Sequence, residues 1–174
     1  MRIVGGRWAG QELVSPGGRV RPSAEAVREA LMEAVEDDLK GARILDLFAG
    51  TGALGLEALS RGAASIDFVE NGPGALHSLK ANVARFRAVD QCRIFRVDAV
   101  EFLTRTSTTT YDIALADPPY TSRLSNHVAQ RWLEAPFSRI LAVETAADHS
   151  LPGKGRRQAI GASDITIYRA EATR

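Results

Sequence analysis

The chain has little of what builds covalent or metal staples. Its 174 residues include one cysteine, Cys92, so an internal disulfide is excluded. The three histidines are far apart and lack metal-ligand spacing, so no zinc or iron site is implied. No run approaches the ~18 consecutive apolar residues of a membrane span. Met1-Arg2-Ile3-Val4-Gly5 lacks the apolar segment of a signal peptide, and a cytoplasmic protein without membrane contact is expected. There is no internal repeat and no low-complexity tract. With 45% hydrophobic and 25% charged residues, the composition is that of a globular chain, and its length suits a single core.

Net charge is also nearly absent, at +1, but it is unevenly distributed. Residues 1–22 hold Arg2, Arg7, Arg19 and Arg21 against Glu12 alone, and Lys154, Arg156 and Arg157 form a second basic cluster. Either patch can neutralise phosphates or serve as a solvated surface. Breakers at Gly5-Gly6, Pro16-Gly17-Gly18 and Pro22 make residues 1–22 a small hairpin or extended arm. The remainder, 23–174, is expected to be one domain. Ser23 reads as an N-cap, with Glu25 in the first turn. Ala24, Val27, Leu31, Ala34 and Val35 share a face of a helix running to about Asp38.

From Arg43 onward strands and helices alternate. Strands are expected at Ile44–Phe48, Ser65–Glu70, Arg93–Val97, Tyr111–Ala116 and Arg139–Glu144. The helices between them are expected at Ala53–Arg61, Pro73–Phe86, Ala99–Thr104 and Leu124–Leu133. Arg156–Ile160 and Ile165–Arg169 have no helix between them and read as a closing antiparallel hairpin. The fold class is therefore α/β and Rossmann-like: a seven-stranded, mostly parallel sheet with an antiparallel C-terminal hairpin, helices on both faces and a small N-terminal β-arm.

Gly50-Thr51-Gly52-Ala53-Leu54-Gly55 fits G-x-G-x-x-G at a strand-turn-helix junction, and Glu70 closes the next strand about 20 residues on. Such glycines admit close backbone approach to a ligand, and a carboxylate there can accept from both ribose hydroxyls. NAD and S-adenosylmethionine share that adenosine. Asp46 discriminates between them, because a carboxylate beside the turn suits an ammonium or sulfonium and repels a pyrophosphate. A Gly-rich turn also permits tight helix-strand packing with no ligand. Asp98 reads as a helix N-cap, and Asp98-Ala99 after the third strand also resembles the element that meets the adenine in class I methyltransferases.

Asp117-Pro118-Pro119-Tyr120 follows the fourth strand at the carboxyl edge, where open α/β sheets bind ligands. An exocyclic purine amine is a poor nucleophile, since its lone pair is delocalised into the ring. The Asp117 carboxylate and Pro118 carbonyl can each accept an amine N–H, the prolines stiffen the backbone, and Tyr120 offers a stacking face. In an arbitrary protein such a run is only a rigid turn. Cys92 precedes a strand, has no neighbouring proline-cysteine motif and reads as a core thiol.

Leu45-Asp46-Leu47-Phe48-Ala49-Gly50-Thr51-Gly52 resembles the first motif of class I methyltransferases. The whole chain resembles the RsmD family of 16S rRNA guanine-N2 methyltransferases. That resemblance rests on Arg2-Ile3-Val4-Gly5-Gly6-Arg7-Trp8, Arg21-Pro22-Ser23, Val27-Arg28-Glu29, Leu45–Leu59, Asp117–Tyr120 and Ile167-Tyr168-Arg169. It implies S-adenosylmethionine as cofactor, held by Asp46, Phe48, Ala49, Gly50, Thr51, Gly52, Leu54, Glu70, Asn71, Asp98 and Ala99. It also implies catalysis at Asp117, Pro118, Pro119 and Tyr120, and RNA contacts by Arg7, Trp8, Arg19, Arg21 and Arg28. The implied substrate is 16S rRNA within a partly assembled small ribosomal subunit, and the implied enzyme is a monomer. The alternatives are packing of Trp8 against the hairpin and pairing of Arg28 with Glu25 or Glu29. Gly161-Ala162-Ser163-Asp164 departs from the family's Tyr-Gly-Asp-Thr pattern. The rival readings are a DNA adenine methyltransferase, an NAD-dependent oxidoreductase and a catalytically silent RNA-binding module.

Overall fold

The computed structural model describes residues 1–15, 22–107, 110–119 and 123–171, apart from the side chains of 22 and 23. Its sheet has the strand order β3-β2-β1-β4-β5-β7-β6. The strands are β1 (Arg43–Leu47), β2 (Ser65–Val69), β3 (Cys92–Phe95), β4 (Tyr111–Ala116), β5 (Ser138–Ala146), β6 (Arg156–Ile160) and β7 (Ser163–Arg169). β1 to β5 pair in parallel, whereas β7 is antiparallel to both β5 and β6. The helices are α1 (Pro22–Ala34), α2 (Glu36–Leu39), α3 (Ala53–Ser60), α4 (Pro73–Arg85), α5 (Ala99–Arg105) and α6 (Leu124–Glu134).

Alternation along the strands separates two cores, because successive side chains leave a strand on opposite faces. Ile44, Ile66, Phe68, Ile113 and Leu115 meet Val27, Leu31, Leu39, Leu56, Leu79 and Val83 of α1 to α4. Leu45, Leu47, Ala114, Ala116, Leu141 and Val143 meet Leu103 of α5 and Val128 and Trp132 of α6. The parallel strands are apolar on both faces, as a sheet covered by helices on each side requires.

Element ends fall within two residues of expectation except in α1. The helix starts at Pro22, whose fixed φ suits a first helical position, so Ser23 lies inside it and does not cap it. It also stops at Ala34 rather than near Asp38. Val35 leaves helical geometry (φ −123°, ψ 11°), and Glu36, Asp37 and Asp38 become the first turn of α2, where acidic side chains favour the helix dipole. The kink lets both Val35 and Leu39 reach the core. The expected N-terminal hairpin is present. Arg2 and Glu12 form an antiparallel bridge around a short 3₁₀ turn at Gly6–Trp8, and Ile3 and Leu13 are buried in the same core as α1 to α4.

Candidate active site

β1, β2 and β4 end side by side, and the turns leaving them enclose one cavity of about 900 Å³ at the carboxyl edge of the sheet. From β1 it takes Phe48, Ala49, Gly50, Thr51 and Leu54, and from β2 Glu70 and Asn71. The loop after β3 contributes Asp98 and Ala99, and β4 leads into Asp117, Pro118 and Pro119. Most of the residues expected from sequence to form a donor and acceptor site therefore meet in one place. Tyr120, Arg19 and Arg21 lie outside the described residues.

The turn after β1 is wound from left-handed residues, with Phe48 at φ 62°, Gly50 at 56° and Gly52 at 82°. An aromatic residue rarely adopts this conformation, and such strain concentrates at ligand sites. Glu70 holds the turn in place: one carboxylate oxygen accepts from Gly50 N–H at 2.8 Å, and the other from Asn71 and Gly72 N–H at 2.9 and 2.7 Å. Asp98 caps α5, with one oxygen accepting from Val100 and Glu101 N–H at 2.8 and 3.2 Å. It also lines the cavity; of its two sequence readings, the helix cap is the one its hydrogen bonds express.

Asp46 and Gly52 are not on the cavity wall. A Cβ at Gly52 would strike Leu79, and one at Gly55 would strike the Phe68 ring and Asp46, so both glycines serve close packing of α3 on β1 and β2. Asp46 lies beneath the turn with only 1% of its surface accessible. One of its oxygens accepts from Gly55 N–H at 2.9 Å, and the other is buried with no hydrogen-bond partner. Burial pushes its carboxyl up to about 8, the Gly55 N–H opposes this, and the charges of Asp117 and Glu70 add to the rise. Asp117 is accessible from the cleft but recessed within it. Enclosure by protein and the charge of Glu144 push its carboxyl up to about 7.

Arg28 is the only basic side chain on the cavity wall among the described residues. It pairs with neither Glu25 nor Glu29. Its Nη2 donates to the Arg2 carbonyl at 2.6 Å, and its Nε lies 3.5 Å from Glu57 in an ion pair. Glu57 is fully buried and accepts from Val4 and Gly5 N–H and from Arg61 Nε. Asn82 plays a similar part, bonding both backbone groups of Val14 and the Thr51 carbonyl. The arm is thereby fastened to the helices on either side of the Gly-rich turn, and Met1 and Ser15 reach the cavity.

Arg7 and Trp8 lie elsewhere. The Trp8 ring packs on Phe86 at 4.8 Å between centroids, and the Trp8 backbone N–H donates to Ser60 Oγ at the far end of α3. Arg7 covers the Trp8 ring and donates to Gln91. α3 is about 12 Å long, and this pair sits at the end opposite the Gly-rich turn. The alternative reading of Trp8 is packing against the hairpin; its ring packs instead on Phe86 at the end of α4. Cys92 is half-buried and free, with burial and Asp67 pushing its thiol up to about 12.

Glu57, Asn82 and Glu144 escaped the sequence reading. Glu57 had a signal: a carboxylate in a helix otherwise apolar all round must be buried with partners. Glu144 had another, since it lies near the carboxyl end of a central strand. Asn82 had none.

Fold and site define a class I methyltransferase architecture. The family model described as Conserved hypothetical protein 95 matches residues 1–168. The chain is 32% identical to Ribosomal RNA small subunit methyltransferase D of Escherichia coli K12 over 99% of its own length and 91% of the relative's. It is 29% identical to the protein of that name from Haemophilus influenzae, covering 87% of this chain and 81% of the other. The solved structure of the methyltransferase yhhF from Escherichia coli superposes with a TM-score of 0.85 and 31% identity, covering 99% of both chains. The 16S rRNA N2 G1207 methyltransferase of Thermus thermophilus, solved with AdoMet and guanosine, shares the fold at TM-score 0.67 and 21% identity, over 88% of this chain and 44% of that one. The chain belongs to the RsmD family, whose model bears the description Conserved hypothetical protein 95.

Proposed function

We propose that this protein transfers the methyl group of S-adenosylmethionine to the exocyclic N2 amine of a guanine in small-subunit rRNA, with a partly assembled subunit as substrate. The observation that carries this reading is the opening of the Gly50 turn, Glu70 and Asp117-Pro118-Pro119 into one cleft. The cleft is acidic, with Glu70, Asp98, Asp117 and Glu144 on its wall and Asp46 below it. Four carboxyl groups gathered on one wall favour a cationic ligand, while Asp46, pushed up to about 8 by burial, lies off that wall.

When bound, the cofactor supplies an electrophilic methyl group on a positively charged sulfur. Glu70 offers acceptor oxygens to the ribose hydroxyls, and the left-handed turn at Gly50 lets backbone approach the ligand closely. The Asp117 carboxylate and the Pro118 carbonyl accept the two amine N–H groups and turn the nitrogen lone pair toward the methyl carbon. Held there, the donor would supply its methyl group to the oriented nitrogen, its sulfur departing as a neutral thioether, and Asp117 would pass the surplus amine proton to solvent. Orientation of this kind supplies on the order of 7–11 kcal/mol of a barrier. The described part of the arm, residues 1–15, forms part of the RNA-facing wall, which the positions of Met1 and Ser15 support.

The test is transfer of labelled methyl to small ribosomal subunits that lack the modification. Asp117→Ala is expected to lower turnover by on the order of 10²–10³ while cofactor affinity stays nearly unchanged. Undiminished transfer removes Asp117 from the reaction. Thermal stabilisation by NAD, with none by S-adenosylmethionine, removes the donor.

A further inference from the structure

The acidic cleft raises a question about its own substrate. RNA is a polyanion, and phosphates near Glu70, Asp98, Asp117 and Glu144 are repelled. Binding must draw on cations outside the cleft, yet Arg7 is turned toward Trp8 and Gln91, and Arg2 is paired with Glu25. A second concavity, of about 380 Å³, lies between the β6–β7 hairpin and the end of α1. Lys154, Arg156, Gln158 and Arg169 line it. Arg169 is bound to Asp38 at 2.8 Å, whereas Lys154 and Arg156 have no carboxylate within ion-pair distance among the described residues.

Resting on the methyltransferase reading above, we propose that this groove binds the phosphodiester backbone of the RNA strand flanking the target guanine. Strand alternation sends Arg157 to the other face, where it pairs with Asp164, and leaves Arg156 and Gln158 facing the groove. The basic segment is held rigidly. Gly155 lies against Thr166 and the Tyr168 ring where no Cβ would fit, and the Tyr168 hydroxyl donates to the Pro152 carbonyl at 2.7 Å. Cations on a fixed backbone lose less entropy on meeting a phosphate than cations on a free loop.

The position suits the purpose. Gln158 pairs with Ile165, and Ile165 with Glu144. Glu144 follows Val143, the partner of Ala116, which precedes Asp117. Gln158 is therefore in the same cross-strand row as Asp117, three strands away, or roughly 14 Å. Arg156, two residues farther from the carboxyl edge, is roughly 16 Å from Asp117, a reach of several nucleotides at a rise of about 3.4 Å each. Edge strands also carry cations to discourage edge-to-edge pairing. That accounts for exposed charge on β6 but not for its convergence with Gln158 and Arg169 in a concavity.

The test is fluorescence anisotropy with a short labelled oligouridylate, which has phosphates but no exocyclic amine, titrated across salt concentrations. Lys154→Gln/Arg156→Gln is expected to flatten the slope of log affinity against log salt by about 1.4, two single-strand phosphate contacts. In methyl transfer, KM for rRNA rises, while kcat and S-adenosylmethionine affinity hold. Lys80→Gln/Arg85→Gln on α4, with the same charge change, is expected to leave the slope close to wild type. An unchanged slope in the groove variant, or an equal change in the control, overturns the proposal. So does a loss seen only with protein-containing subunits, which points to an acidic protein partner. Wild type that binds oligouridylate through the groove but methylates no RNA refutes the functional reading and leaves the groove standing.

Discussion

Replacing Glu57 with alanine removes a fully buried carboxylate that accepts from Val4 and Gly5 N–H at 2.8 and 2.7 Å and from Arg61 Nε at 3.0 Å. It also leaves Arg28, itself buried, without its counter-charge. Breaking a buried pair from one side costs about 3–5 kcal/mol, because the stranded charge stays desolvated. Against a typical total stability of about 5–15 kcal/mol, that is a large share, and a melting midpoint is expected to fall by roughly 6–20 °C. Urea unfolding followed by circular dichroism gives the global change. Fluorescence in a Trp132→Phe background, which silences the tryptophan of the other core, adds a local view, since Trp8 packs on Phe86 at the base of the arm. In Glu57→Ala the fluorescence transition is expected to precede the circular dichroism transition, as the arm detaches before the sheet unfolds. Arg28→Met in the same chain removes the stranded charge, so the double variant is expected to lose less than the sum of the single losses. A loss under about 1 kcal/mol, or strict additivity in the cycle, refutes the view of Glu57 as the residue that fastens the arm.

Asp46 sets a pH dependence of unusual sign for a carboxylate. Its folded value of about 8 lies above the ordinary 3.8, so the native state holds the proton more tightly than the unfolded chain. Its contribution to stability is full below pH 3.8 and is lost as pH rises through 8, at a slope of up to about 1.4 kcal/mol per pH unit. Melts of the ligand-free protein across that range are expected to show this fall, and Asp46→Asn to flatten it while weakening S-adenosylmethionine binding; equal slopes in both proteins reject the assignment. Asn82→Ala releases both backbone groups of exposed Val14 and the half-buried Thr51 carbonyl, at about 1–3 kcal/mol for a group shut off from water. Calorimetry should show that loss, together with weaker cofactor binding through the loosened turn; unaltered cofactor affinity dissociates Asn82 from the turn.

Local chemistry made much of this protein legible from its residues alone. The alternation of apolar periods from Ile44 to Glu144 and the absence of a helix between Ile160 and Ile165 dictate a parallel sheet closed by a hairpin, because backbone geometry and burial are read residue by residue. Gly50, Glu70 and Asp117 were likewise visible, since each sits where a strand ends and a side chain or turn must face the carboxyl edge. Tertiary structure alone decided how distant segments interlock. Asp46 went beneath the turn rather than onto its wall, because Gly55 and Phe68 crowd α3 against β1 and leave it only a backbone N–H. Trp8 went to Phe86 and Arg28 to Glu57, pairings separated by 78 and 29 positions that no local pattern encodes. A charge or ring buried by folding takes whichever partner the packed chain brings within reach, and that choice exists only once the sheet and its helices have closed around it.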